Sequence, residues 1–162
     1  MVLEELNPLL NILNKFRFEI GIFDSDSNTM ETATIFNLDG TTSTVEMSLS
    51  DIMYFTEYGT ITLPAKRVLE RIGQKIKYEF PDEIKFIIEQ VLNHDWQDNE
   101  IKRELEKYNT RINTYIIPLA INEILSSDNT ISGILGQEKD THYVFDLRKL
   151  KKFIKSCIFF AN

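Results

Sequence analysis

Chemistry in this chain would have to come from few side chains. His94 and His142 are its two histidines and Cys157 its one cysteine. Nucleophilic catalysis needs a Ser, Cys or Lys activated by a neighbouring base, and no G-x-S-x-G turn supplies one. Asn93-His94-Asp95-Trp96 sets an imidazole beside a carboxylate. Adjacent loop residues rarely point together, so this stretch reads as a helix-to-helix linker anchored by a packed Trp96. Asp24-Ser25-Asp26-Ser27-Asn28 copies the opening of a calcium loop. Its sixth position is Thr29 where glycine makes the bend, and its twelfth is Ile35 where a bidentate glutamate belongs, so a solvated loop is expected. One cysteine and two distant histidines cannot fill a four-ligand zinc site without several carboxylates. Cys157 reads as a small buried hydrophobe in an apolar strand. No catalytic residue, metal or cofactor is expected. For acid–base work the least poor pair is Asp51 and Glu57, near a glycine loop.

Arg148, Lys149, Lys151, Lys152 and Lys155 are interleaved with Leu147, Leu150, Phe153 and Ile154. Such a face could meet a polyanion or an acidic partner, but a solvated surface over an apolar one is the favoured reading. The whole chain has 18 Lys and Arg against 25 Asp and Glu, a formal charge of -7, which repels phosphate and argues against a tight grip on nucleic acid.

The elements that must position these residues follow from patterning. With 43% hydrophobic and 11% aromatic residues over 162 positions, the chain has the apolar material for one core and is expected to form a single domain, 1–162. The lone cysteine and the lack of a basic-then-apolar leader suggest a cytoplasmic protein. The apolar stretch 115–121 is broken by Pro118 and falls short of the roughly 20 residues that span a bilayer. Asn7 and Pro8 can start a short helix carrying Leu9, Ile12, Leu13 and Phe16. Residues 16–23 alternate as a strand does. Residues 24–34 read as a loop, residues 34–38 lead into an Asp39-Gly40 turn, and a β-branched run from Thr41 extends a second strand. Ser48 can cap a short helix over 48–56, and 61–64 reads as extended. A helical pattern begins at Ala65 and meets Pro81, predicting a helical hairpin or a kinked helix up to about Leu92. The longest helix is predicted from about Asp98 to Leu125, bent at Pro118. Residues 126–140 read as a loop, and 142–145 and 153–160 as strands. The predicted class is α+β: an antiparallel sheet from N- and C-terminal strands packed against two or three central helices.

The order of these segments resembles the tail-completion and neck proteins of long-tailed phages, also called virion morphogenesis proteins. The resemblance rests on Glu19-Ile20-Gly21-Ile22, Asp39-Gly40, the short helix over 50–55, Glu57-Tyr58-Gly59-Thr60 and Leu63-Pro64-Ala65-Lys66-Arg67-Val68-Leu69-Glu70. The closing Phe145-Asp146-Leu147-Arg148-Lys149-Leu150 matches only in part, because the family's threonine and glycine are missing. The family's second proline is also absent. The resemblance implies a non-enzymatic virion protein, assembled in the host cytoplasm, that forms a ring of its own copies between capsid and tail and touches other head-tail proteins, with DNA only passing through. It implies a contact loop made of Glu57, Tyr58, Gly59, Thr60, Pro64 and Arg67. Gly59 would allow a positive φ there, and Pro64 would hold the next segment extended. An acidic channel wall would let DNA slide. Two rivals stand beside this: a small cytoplasmic binding or inhibitor protein that masks a basic host partner, and an enzyme using Asp51 and Glu57.

Overall fold

The computed structural model describes residues 13–134 and 146–161. The fold is α+β, and its strands form two separate two-stranded sheets. β1 (Phe16–Gly21) stands in one, β2 (Met30–Phe36) and β3 (Thr42–Ser48) make the other, and β4 (Lys155–Phe160) returns to pair antiparallel with β1. Between the hairpin and β4 come α1 (Leu49–Tyr58), α2 (Val68–His94), α3 (Asp98–Arg111), a π-helical turn at Ile112–Ile116, and α4 (Ile117–Ile134). Single helical turns lie at Asp24–Ser27 and Leu147–Leu150.

Alternation in β1 points Phe16, Phe18 and Ile20 at the helices, while Arg17 pairs with Glu19 at 2.7 Å on the outer face. The main core gathers Leu49, Ile52, Val68, Ile72, Ile112, Ile116, Ile121, Leu147 and Leu150, all fully or nearly fully buried. Each such side chain contributes about 2 kcal/mol of transfer free energy, so this cluster dominates the fold's stability. A smaller cluster of Ile87, Ile101 and Leu105 packs α2 on α3, with Trp96 and Phe86 edge to face beside it. Phe18 and Phe80 touch both clusters and join them.

Several expectations need correction. Pro81 does not divide the chain into a hairpin: α2 runs through it as one helix. The buried Ile76 and Ile87 on either side pin the helix to the core, outweighing the roughly 3 kcal/mol an interior proline costs. The bend expected at Pro118 is met by the π turn just before it, where the Ile117 N–H bonds to the Ile112 carbonyl. That wider turn eases the pressure of the proline ring on the preceding carbonyls. Residues 126–134, expected as loop, continue α4, because helix already packed upstream propagates through residues of middling propensity. Residues 24–27 are a helical turn rather than loop, β2 begins at Met30, and 61–63 bend instead of running straight. Cys157 is half-buried, not buried. Most of the expected first helix and the strand expected at 142–145 lie outside the described residues; Phe16 itself opens β1.

The π turn has a second role. The Asn113 amide donates to the Ser156 carbonyl at 2.9 Å, and its Oδ1 accepts from the Ser156 N–H at 2.8 Å. One side chain thus stands in for a neighbouring strand and closes the edge of β4 that β1 does not cover.

Candidate functional site

The six residues expected to form a contact loop fall between α1 and α2, and they divide into builders and presenters. Helix α1 is capped by Ser48, whose Oγ accepts from the Asp51 N–H at 3.1 Å and donates to the Asp51 carboxylate at 2.9 Å. It delivers Glu57 into the interior, where Glu57 is only 7% exposed. One Glu57 oxygen accepts from the Leu69 N–H at 2.7 Å and the other from the Glu70 N–H at 3.0 Å. These are open donors in the first turn of α2, whose own cap residue, Arg67, offers no side-chain bond. Glu57 therefore caps a helix from 12 and 13 residues away, placing a carboxylate at the positive end of its dipole. The Thr56 and Glu57 carbonyls accept from Lys66 and Arg67, closing the loop at its base.

Gly59 is the second builder. Its φ of 79 and ψ of -178 lie in a region essentially reserved for glycine. An added Cβ would stand 2.7 Å from both the Ala65 nitrogen and the Leu63 oxygen, which are backbone atoms that cannot swing aside. Thr60 Oγ accepts from the Thr62 and Leu63 N–H groups, and the Thr60 N–H bonds to the Leu63 carbonyl. Outward go Tyr58, stacked near Tyr54 with centroids 5.0 Å apart, and Pro64 and Arg67, the latter paired with Glu70 at 3.2 Å. Arg67 has a left-handed φ of 51, as does Asp95 at the far end of α2.

Beside this loop stands a surface the sequence did not single out. Pairing puts Ala33 opposite Val45, Glu31 opposite Met47 and Ile35 opposite Ser43, so these share one face of the β2–β3 hairpin. At the base, Ala33 is buried and Met47 packs on the core. Further out no described residue lies over the same face, and with the 60–63 bend it encloses a groove of about 760 Å³. Ile35, Leu38, Met47, Phe55, Ile61 and Leu63 supply the apolar lining. Leu38 is 83% exposed and Ile61 92%, the two most exposed bends' worth of aliphatic surface in this region. The tip is rigid: Asp39 Oδ1 accepts from both the N–H and the hydroxyl of Thr41, Gly40 takes a φ of 84, and Asn37 bonds across the turn. The Thr41 hydroxyl and then its N–H hold the Asp39 carboxyl below its ordinary range. The signal for this surface was in the sequence, as Ile35 and Leu38 flanking the Asp-Gly turn and Ile61 beyond Gly59.

The other chemical candidates are occupied or apart. Both oxygens of Glu57 hold backbone donors, and one oxygen of the exposed Asp51 accepts from the Ser48 hydroxyl. His94 and Asp95 are exposed at the end of α2, with Trp96 tucked beside Phe86. Asp26 of the expected loop pairs with Lys155 at 3.5 Å. Among the described residues, no group of three or more His, Cys, Asp or Glu is placed to hold a metal ion. No described helix is long and apolar enough to cross a membrane. In the 147–155 segment Leu147, Leu150 and Ile154 are buried while Arg148, Lys149, Lys152 and Lys155 face solvent, a charged face over an apolar one.

One buried polar seam was not foreseen. Between α2 and α3, Glu79 pairs with Arg111 at 3.3 Å, and Glu83 Oε1 and the Tyr108 hydroxyl are enclosed without a hydrogen-bond partner. Burial, reinforced by the nearby Glu104 carboxylate, raises the Glu83 carboxyl above its ordinary range. Burial first, then Glu79, pushes the Tyr108 phenol up to about 12.

No family model, curated protein or solved structure matches this chain.

Proposed function

We propose that this chain is a phage virion structural subunit of the head-tail junction, of the neck, tail-completion or tail-terminator kind, and that it works as one member of a ring. The reading assigns it no catalysis and no cofactor. Its partners are its own copies and the neighbouring head or tail proteins, with DNA passing through the ring.

The observation that carries the reading is the open apolar groove between a stiff hairpin and a loop whose shape is fixed by Glu57 and Gly59. A small-molecule site needs a few convergent polar groups around its apolar walls. Here the polar groups nearby bond to one another within their own turns, leaving shape and apolar area as what the surface offers. Pre-set surfaces of that kind suit repeated protein contacts, since little freedom is lost when they dock. The sequence resemblance supports the same reading from another side. Two of its segments, 57–60 and 63–70, are joined by the Glu57 bonds to Leu69 and Glu70, so they form one built unit.

The test is electron microscopy of purified phage particles labelled with an antibody to this chain, with light-scattering mass of the recombinant protein alongside. Label at the junction of head and tail is the expected result. Particles that carry no label, together with a monomer that captures a host protein, would overturn the reading in favour of an inhibitor.

A further inference from the structure

Charge is sorted along this chain in a way its overall balance conceals. Between Phe18 and Ala65 every charged side chain is a carboxylate, whereas 148–155 holds five cations and no acid. The structure sets the first stretch into the hairpin and its surroundings, and the second into the exposed face of the Leu147–Leu150 turn and the start of β4. Within one copy the two meet at Lys155 and Asp26, 3.5 Å apart. Elsewhere they do not. Among the described residues, Glu31, Asp39 and Glu46 have no cation partner, and Lys149, Lys151 and Lys152 have no carboxylate partner.

Among the described residues, the hairpin is also supported only at its base. Thr42 to Glu46 of β3 are exposed on both faces, and a two-stranded hairpin is marginal unless a further strand or a packed surface supports it. Ala33 and Met47 give that support only at the base.

We propose that the hairpin of one copy docks against the basic turn at 147–152 of a second copy, with the β3 face that carries Thr44 and Glu46 turned toward Lys149 and Lys152. The proposal takes its ring geometry from the function proposed above and deepens it by naming the two patches that meet. The occupant is a second copy because each copy carries both halves of a complementary pair that it leaves unmatched within itself. Two different patches meeting head to tail make a heterologous contact, which closes into a ring or runs on as a filament. Charge complementarity of this kind sets register and speeds encounter, and it is screened by salt.

A charge swap tests it. One variant, Thr44→Lys with Glu46→Lys, puts two cations on the face of β3 that carries Glu46; the other, Lys149→Glu with Lys152→Glu, puts two carboxylates on the turn at the positions proposed to meet it. All four positions are exposed, and circular dichroism with urea unfolding verifies that both variants fold. In light scattering at low salt, the wild type should gain mass with concentration and lose it as salt is added. Each variant alone should self-associate at least about 10-fold more weakly, and an equimolar mixture should recover the wild-type behaviour. A wild type that stays monomeric at high concentration would overturn the proposal, as would variants that associate normally or a mixture that fails to recover. So would a turn variant that loses retention on DNA while its self-association is unchanged, since the turn would then serve a polyanion. Particle labelling separates the two proposals. Label at the junction with charge-insensitive association removes this interface and keeps the connector, while a successful swap without label keeps the interface and removes the connector.

Discussion

The segment from Glu57 to Glu70 and the hairpin from Met30 to Ser48 are neighbours, of similar size, and opposite in how they satisfy themselves. In the first, a carboxylate, a glycine and three backbone bonds tie the loop to itself and to the N-terminus of α2. In the second, the strands and the Asp39 turn bond only to each other, and the apolar face beyond Ala33 ends in open groove. The comparison separates residues that hold a surface in place from residues that are the surface. It also relocates Glu57 and Gly59, which sequence had grouped with the contact residues, to the holding side.

The largest expected effect comes from beneath the loop. Ile72→Ala, in the fully buried first turns of α2, should cost about 3 kcal/mol by cavity formation, read as a lower urea midpoint; a cost below about 1 would mean that this core is loosely packed. Gly59→Val should cost nearly as much, about 3 kcal/mol, through a forbidden backbone and a collision with Leu63 and Ala65. That substitution therefore damages the fold itself and cannot serve as a clean probe of contact. Glu57→Ala should cost about 2 kcal/mol, since it strips two donors of α2 of their acceptor, and amide exchange at Leu69 and Glu70 should accelerate with it.

Glu83 sharpens the comparison, being a carboxylate enclosed without the donors that Glu57 enjoys. Its folded pKa is raised, so the fold favours its protonated form, and the stability this brings is full below the ordinary value of 4.5 and lost as pH rises through the raised one. Glu83→Gln should therefore stabilise the protein at neutral pH, with the gain shrinking as unfolding is followed down into acid. At the other end, Leu38→Ser should shift stability by no more than about 0.5 kcal/mol while weakening self-association in light scattering. A Leu38 variant that unfolds, or that assembles unchanged, would erase the distinction between holder and surface.

What could be read from sequence was short in range. Ser48 before an apolar helix, the Asp39-Gly40 turn and the alternation of Phe16, Phe18 and Ile20 carry their own local physics, and each sits where its chemistry demands. The antiparallel meeting of the two end strands followed from their composition and place in the chain. Glu57 was legible as a residue of interest but not as a cap, because its partners lie 12 and 13 positions away and nothing local marks them. Pro81 and Ser126 misled for one reason: local propensity there is overruled by isoleucines buried along the same helices. The groove was hidden because exposed and buried aliphatic residues look identical in a string of letters.

The pairing of β1 with β4 also bears on how the protein comes to be folded. Phe16 waits for Phe160 and Gly21 for Lys155, so this sheet closes a loop spanning nearly the whole described chain. The hairpin and the helical hairpin need only neighbours in sequence and can form while β1 still lacks its mate. Until the last strand is made, β1 presents an unpaired edge bearing Phe16, Phe18 and Ile20, which is the interval in which the protein is most open to aggregation.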